Sequence, residues 1–222
     1  MININKRLQT LGDIILEGKS TGIIDVGCDH ALLDIYLLER NNNLKLVASD
    51  LRKAPLEKAK ENIEKYSFSN KIKIKLSYGI DDLEDYIDTI VISGMGTDTI
   101  MDIFNKGKEY LNRIDRIVLS SNNRYYELRK YMMENGYYIC KEKIVYSDKK
   151  YYIIMDFLKG NKKYNEKELY FGPYLLKNKD DLFYEYFGMI KNKRESVIDD
   201  IPDDIDNKKS LQDEIEMLTS EL

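Results

Sequence analysis

The spacing of apolar residues changes repeatedly along residues 1–160 between the period of a strand and that of a helix. Short apolar runs predict buried strands, and an apolar residue at every third or fourth position predicts a helix that packs on a core. The predicted strands cover residues 23–25, 44–49, 72–76, 88–92 and 116–120. The predicted helices cover residues 3–18, 32–38, 53–66, 97–105 and 124–134.

Strands that alternate with helices in this way predict a mostly parallel α/β sheet with helices on both faces. Two further apolar stretches, residues 137–146 and 151–157, are joined by a short polar turn and predict a hairpin. Because a hairpin is antiparallel, we expect these two strands to form an antiparallel edge of the sheet.

The pattern after Lys159-Gly160-Asn161 is helical throughout. One apolar stripe joins Leu182, Phe183, Tyr186, Phe187 and Ile190, and a second joins Leu211, Ile215, Leu218 and Leu222 at heptad-like spacing. A polar turn at residues 199–204 separates the two stripes. We therefore predict two domains: an α/β domain at residues 1–160, and an antiparallel helical, coiled-coil hairpin at residues 161–222.

Candidate chemistry lies where the first two predicted strands end. The segment 23–31 reads Ile-Ile-Asp-Val-Gly-Cys-Asp-His-Ala, a buried strand that turns through Gly27 into a helix, and the second strand ends at Asp50. A carboxylate at the tip of the second strand, after a glycine turn, is how a doubly wound sheet holds a nucleoside ribose. The turn lacks the further glycines that a pyrophosphate requires, and its Asp25 and Asp29 would repel one. An acidic turn suits a cationic nucleoside, so we predict S-adenosylmethionine as the cofactor.

Each part of that cofactor has a candidate partner at the carboxyl ends of the strands. Asp50 would accept hydrogen bonds from the ribose hydroxyls, and Asp25 or Asp29 would hold the ammonium group. Taken singly, these residues have simpler explanations as helix caps, turn glycines or core packing, and the prediction depends on their order along the chain. The predicted cofactor contacts are Asp25, Gly27, Asp29, His30, Asp50, Leu51, Gly79, Ile80, Gly94 and Met95.

Composition narrows the class of protein further. The chain has 222 residues, 43% hydrophobic and 33% charged, with a net charge of −4. No apolar run reaches the roughly 20 residues that span a bilayer, and the start of the chain lacks a signal-peptide core, so we expect a cytoplasmic protein. The two cysteines and single histidine are too few for the usual zinc site, so no metal is expected. Acidic residues exceed basic ones after residue 160.

With these residues in view, the chain resembles the bacterial tRNA (adenine-N1)-methyltransferases of the TrmK type, which modify adenine 22. The resemblance covers nearly the whole chain and implies the class I methyltransferase fold. The segments that carry it are Asp25–Ala31, Ser93–Gly96, Asn123 with Leu128-Arg129 and Asn135–Tyr137, and Phe171-Gly172-Pro173. The chain departs from the family pattern at Asp50, often glutamate there, at Thr97, often glycine, and at 121–123, where Ser-Asn-Asn replaces a Gln-Pro-Asn-like sequence.

The resemblance implies a reaction at N1 of an unpaired or flipped-out adenine in the D-loop region of tRNA. Asp29 is the candidate acceptor for a proton or for the developing positive charge, His30 an orienting group, and Asn123 a contact to the base edge. Basic residues that would contact tRNA are Lys6, Arg7, Arg52, Lys53, Lys71, Lys73, Lys75, Arg124 and Arg129.

Two other functions remain open at this point. A methyltransferase of the same fold could act on a small molecule or a protein, although the absence of an Asn-Pro-Pro-Tyr-type loop after the fourth strand argues against methylation of an exocyclic amine. A non-catalytic module could instead sense the cofactor or bind RNA. A dinucleotide oxidoreductase ranks last, because the turn lacks the required glycines.

Overall fold

The computed structural model describes residues 1–198 and 206–222. Its centre is a seven-stranded sheet in the order β3-β2-β1-β4-β5-β7-β6. Strands β1 to β5 are parallel, and β7 runs antiparallel to both β5 and β6. The strands are β1 Gly22–Val26, β2 Lys45–Asp50, β3 Ile72–Leu76, β4 Thr89–Ser93, β5 Arg116–Ser120, β6 Tyr137–Ser147 and β7 Lys150–Lys159.

Helices connect most of the parallel strands, with a loop between β3 and β4, and then form the C-terminal part of the chain. Before β6 they are α1 Lys6–Glu17, α2 Leu32–Arg40, α3 Lys53–Lys65, α4 Thr97–Lys106, α5 Lys108–Leu111 and α6 Tyr125–Glu134. After β7 they are α7 Glu166–Phe171, α8 Pro173–Asn178, α9 Asp181–Ile198 and α10 Asp206–Glu221. Within the described ranges, no helix is long and apolar enough to cross a membrane.

The central strands are apolar on both faces because helices cover both sides of the sheet. Side chains alternate between the faces, so Ile90 and Ile92 of β4 join one core and Val91 joins the other. The first core also receives Phe104 of α4, and the second receives Leu11 of α1. The parallel α/β sheet and its antiparallel edge, both predicted from the sequence, are confirmed.

The C-terminal helices pack on the first core. Phe171, Phe183, Phe187 and Leu218 are buried in the same hydrophobic cluster as Phe157 of β7. Helices α9 and α10 also contact each other, where Arg194 forms a 3.1 Å ion pair with Glu214. Residue 160 therefore separates the α/β part of the chain from C-terminal helices that share one hydrophobic core with it. A domain boundary at this residue stays a prediction. The polar turn predicted at 199–204 lies outside the described residues.

A buried ion pair joins the C-terminal helices to the sheet. Arg129 of α6 donates from Nε to Glu142 Oε1 of β6 at 2.7 Å, and both side chains are fully buried. Arg129 Nη1 also donates to the carbonyl oxygens of Leu169 and Tyr170 in α7. The prediction that Arg129 contacts tRNA is therefore wrong, because its guanidinium is enclosed by protein.

Candidate functional site

A cavity of about 490 Å³ opens at the carboxyl ends of β1, β2 and β4. The chain proceeds from β1 to β2 on one side and returns to β4 on the other, so the cavity lies where the strand order reverses. Ligands of open α/β sheets bind at this point. Nine of the ten residues predicted to contact the cofactor line the cavity: Asp25, Gly27, Asp29, His30, Asp50, Leu51, Gly79, Gly94 and Met95.

The tenth, Ile80, does not line the cavity with its side chain. It is fully buried in the first core, and a side chain at Gly107 would collide with it. The sequence placed Ile80 with Gly79 against the adenine. The structure does not support a contact from the Ile80 side chain, because that side chain packs into the core.

The turn after β1 has an unusual backbone. Gly27 has φ of +78°, a dihedral angle that favours glycine, and a Cβ there would also displace the terminal methyl of Met95, 2.3 Å away. Asp29 and Ala31 also have positive φ, +51° and +54°. Non-glycine residues in this region are strained, and such residues cluster at ligand sites. The turn thus presents Asp29 and His30 to the opening of the cavity.

Asp50 ends β2 with its carboxylate only 6% exposed. Its Oδ1 accepts a hydrogen bond from the backbone N–H of Arg52 at 2.9 Å, which fixes the carboxylate at the cavity wall. Leu51, next to it, is 61% exposed at the opening. This is the arrangement expected of a carboxylate that receives two hydroxyl donors.

Asp25 and Asp34 form a buried pair of carboxyl groups behind the cavity wall. Asp25 is on β1 and Asp34 is in the first turn of α2, and they are 6% and 1% exposed. Burial, followed by repulsion from Asp34, raises the pKa of Asp25 well above its usual range. Burial also raises the pKa of Asp34 to about 7. Two neighbouring buried carboxyl groups disfavour ionisation of both, because their like charges repel.

Asp29 and His30 are the exposed members of the site, at 65% and 44%. Asp29 Oδ2 lies 3.6 Å from His30 Nε2, within range of an ion pair but beyond a direct hydrogen bond. Cys28, between the turn and the core, is a free thiol whose pKa is raised by burial and by the surrounding aspartates. A thiol held protonated is a poor nucleophile, so Cys28 is not expected to react.

Asn123 lies outside the cavity lining and organises the loop beside it. Its Oδ1 accepts from the backbone N–H of Thr97 at 3.1 Å, and its carbonyl oxygen accepts from Thr97 Oγ1 at 2.7 Å. The neighbouring Asn122 donates from Nδ2 to the carbonyl oxygen of Gly94 at 2.7 Å. These bonds hold the segment 94–97 in place at the end of β4. The predicted contact of Asn123 with the base stays a prediction.

Arg7 is one of the cavity-lining residues that the sequence did not identify as such. Its Nη1 donates to Ser93 Oγ at 2.7 Å, and its guanidinium lies 5.0 Å from the ring centre of Tyr152. The sequence placed Arg7, as a basic residue, among the tRNA contacts. Its position in the cavity was not predicted, because Arg7 precedes every strand and belongs to no recognisable motif. Folding of α1 across the sheet brings it to the end of β4.

Two other lysines predicted to contact tRNA have acidic partners. Lys73 forms a 2.6 Å ion pair with Glu84, and Lys75 lies 3.9 Å from the same carboxylate.

Within residues 1–198 and 206–222, no group of His, Cys, Asp and Glu has the arrangement of a metal site.

Comparison with known proteins gives one consistent family. The model of the TrmK family, tRNA (adenine(22)-N(1))-methyltransferase, matches residues 23–221. The enzyme of that description from Bacillus subtilis (strain 168) is 26% identical over 230 residues, covering 98% of this chain and 96% of the relative.

Solved structures with this fold include two that contain a cofactor species. Streptococcus pneumoniae Sp1610 in complex with S-adenosyl-L-methionine is similar to this chain with a TM-score of 0.87 and 29% identity, over 99% of each chain. M. capricolum TrmK in complex with S-adenosyl-homocysteine has a TM-score of 0.87 and 27% identity, over 98% of this chain and 96% of its own.

Proposed function

This chain belongs to the tRNA (adenine(22)-N(1))-methyltransferase family, and we propose that it performs its reaction in the cavity at the carboxyl ends of β1, β2 and β4. It transfers a methyl group from S-adenosylmethionine to N1 of adenine 22 in tRNA. The observation that carries the assignment of the site is the meeting of Asp25, Gly27 and Asp50 at the point where the strand order reverses. With tRNA as the substrate, we propose the cytoplasm as the location.

The residues of the cavity fit this cofactor. The carboxylate of Asp50 suits the two ribose hydroxyls, because a carboxylate accepts two hydrogen bonds. Gly27 leaves room for close approach at the turn, and the acidic pair of Asp25 and Asp34 lies where a cationic group would be stabilised. Gly79 and Tyr78 line the end of the cavity after β3 and are placed for the adenine ring.

The bound cofactor supplies an activated methyl group on a sulfonium, and the lone pair of adenine N1 is a sufficient nucleophile for it. No covalent link to the protein is needed, so the chain contributes mainly by positioning the two reactants. The methylated ring carries a positive charge shared with its exocyclic amine. Asp29, exposed at the opening, is the carboxylate we assign to stabilise that charge or accept a proton from the amine.

His30 and Asn123 are assigned supporting roles at the same opening. His30 Nε2 lies 3.6 Å from Asp29 and orients that carboxylate or donates to the base. Asn123 uses its Oδ1 to hold Thr97, which leaves its amide N–H group for the base edge. The target adenine must be unpaired or flipped out in the D-loop region, because Watson–Crick pairing hides N1.

The surface around the opening supports access by RNA. Arg52 is 72% exposed beside Asp50, and Leu51 next to it presents an exposed apolar side chain on which a base could pack. Lys6 and Lys53 are also exposed, on α1 and α3. Phosphate contacts from such residues would position the tRNA without selecting its sequence.

Replacement of Asp29 tests the proposed chemistry. Asp29→Asn should lower kcat for methylation of tRNA by about 10²–10⁴-fold, the usual contribution of a general acid or base, while cofactor affinity changes only a few-fold. The measurement is the rate of transfer of labelled methyl to unmodified tRNA, with cofactor affinity determined separately by calorimetry.

Asp181→Asn is the matched control, because Asp181 is an exposed aspartate on α9, remote from the cavity. It should retain wild-type kcat. A wild-type kcat for Asp29→Asn would contradict the assignment of Asp29. Loss of cofactor binding in that variant would reassign Asp29 as a cofactor ligand.

A further inference from the structure

Asp34 is a buried carboxylate for which the proposed reaction has no use. Its side chain is 1% exposed, and neither Oδ1 nor Oδ2 has a hydrogen-bond donor among the described residues when the group is ionised. Burial of an unpaired carboxylate is strongly unfavourable, and such a group normally takes up a proton or a counterion. Its one close polar neighbour is Asp25, which lines the cavity.

The other buried carboxylates of the sheet do have counterions. Asp156 accepts from Arg116 at 2.7 and 2.8 Å, and Glu142 accepts from Arg129 at 2.7 Å. The pair of Asp25 and Asp34 has no such partner in the described part of the chain.

Charged groups on the surrounding elements leave the acid pair without a neutralising contact. Arg7 of α1 lowers the pKa of Asp25 only in part, and its Nη1 hydrogen bond goes to Ser93. Asp50 of β2 raises the pKa of Asp25 further. In the turn after β1, the Cys28 thiol is protonated and Asp29 adds a second negative charge. The pair therefore lies in an acidic environment that favours either a proton or a cationic ligand.

We propose that Asp25 and Asp34 hold one shared proton in the free protein, and that the ammonium group of the cofactor takes the place of this proton. Asp34 is thereby a positioning residue that couples cofactor binding to proton release. The inference rests on the proposed use of this cavity for S-adenosylmethionine. The step breaks one O–H bond, the proton passes to solvent, and no other covalent bond changes. Asp25 then accepts hydrogen bonds from the ammonium with its full charge, and the positive charge of the ammonium offsets the repulsion between Asp25 and Asp34.

This coupling predicts the direction of the pH dependence. Below the range in which the pair titrates, binding must expel the proton, so affinity should rise about tenfold for each pH unit. Above that range the pair is already ionised and affinity should level off. The pKa of Asp34, raised to about 7, places the first ionisation of the pair near neutrality, and the proton that binding expels is the one then left on the pair. A nucleoside without the amino-acid portion has no ammonium to replace the proton, and its affinity should not follow pH in this way.

Calorimetric titration with S-adenosylhomocysteine tests the proposal, because this ligand keeps the ammonium group and is chemically stable. Titrations near pH 7.5 in two buffers with different ionisation enthalpies give the number of protons released on binding. We expect about one proton for the wild-type protein and none with 5′-methylthioadenosine, which lacks the ammonium. Asp34→Asn should bind S-adenosylhomocysteine with a clearly smaller proton release and a shallower pH profile, because the repulsion from Asp34 is removed while the burial of Asp25 remains.

His30→Gln is the control for the imidazole at the opening, which lies 3.6 Å from Asp29. It should keep the proton release. Proton release in Asp34→Asn equal to that of the wild-type protein, or no proton release in the wild-type protein, would overturn the proposal. If Asp34→Asn fails to fold, the comparison of the two ligands on the wild-type protein still decides it. Failure of S-adenosylhomocysteine to bind at all would instead overturn the assignment of the cavity.

Discussion

Two buried acidic sites in this molecule differ in what neutralises them. At the junction between α6, β6 and α7, Glu142 is paired with Arg129, and both are fully enclosed. Beside the cavity, Asp25 and Asp34 face each other with no buried cation in the described residues. The first site is complete without any ligand, and so it stabilises the fold. The second is incomplete, and we infer that the cation it lacks belongs to the cofactor.

The surroundings of the junction are consistent with a structural role. Gly172, which connects α7 and α8 with φ of +96°, approaches so closely that a Cβ there would lie 2.5 Å from Glu142 Oε2 and 2.8 Å from Arg129 Nη2. The backbone N–H of Tyr174 donates to Glu142 Oε2 at 3.2 Å. The pair thus has partners on α6, β6, α7 and α8, and it fixes the first C-terminal helices against the sheet.

The largest effect should follow removal of the arginine at the junction. Arg129→Met leaves Glu142 buried without a counterion, and breaking a buried pair in this way costs about 3–5 kcal/mol in the free energy of unfolding. Urea denaturation measures it. The double variant Arg129→Met/Glu142→Leu should recover much of the loss, because it leaves no uncompensated charge. A single variant as stable as wild type would contradict a structural role for the pair.

A smaller effect, seen in binding, should follow replacement of Asp50 in the cavity. Asp50→Ala removes the proposed acceptor of the ribose hydroxyls, and a hydrogen bond to a charged group contributes about 1.5–3 kcal/mol, so cofactor affinity should fall roughly 10–100-fold. Calorimetry gives the affinity, and urea denaturation checks that the protein stays folded. Asp85→Ala, at a fully exposed aspartate paired with Arg113, is the control and should bind normally. Equal affinity in both variants would remove Asp50 from the cofactor site.

The smallest effect should be a gain in stability at the cavity. Folding raises the pKa of Asp34 to about 7, so the free protein loses stability as pH rises from the unfolded value toward 7 and above. Asp34→Asn removes this loss. Between pH 5 and pH 6 its stability relative to wild type should increase by roughly 1.4 kcal/mol, because over that pH unit the unfolded carboxyl is ionised and the folded one is not. Thermal unfolding without cofactor at both pH values measures it, and a variant that is relatively less stable at the higher pH would contradict the account.

Local pattern was sufficient to predict the strands and the turn that build the cavity. The run from Ile23 to Ala31 contains its own strand, glycine turn and helix start, so Asp25 and Gly27 could be placed from spacing alone. Arg7 and Asp34 could not be placed in this way, because their positions depend on how α1 and α2 pack on the sheet. Arg129 was misplaced on the surface for the same reason, since its partner Glu142 lies on a different element.

The central claim is tested most directly by the position that the protein methylates. We would incubate it with labelled S-adenosylmethionine and two unmodified tRNA transcripts that differ only at position 22, adenine in one and guanine in the other, and then digest the products to nucleosides. The account predicts label in 1-methyladenosine from the adenine transcript alone. Equal labelling of both transcripts, or label in another nucleoside, would contradict it.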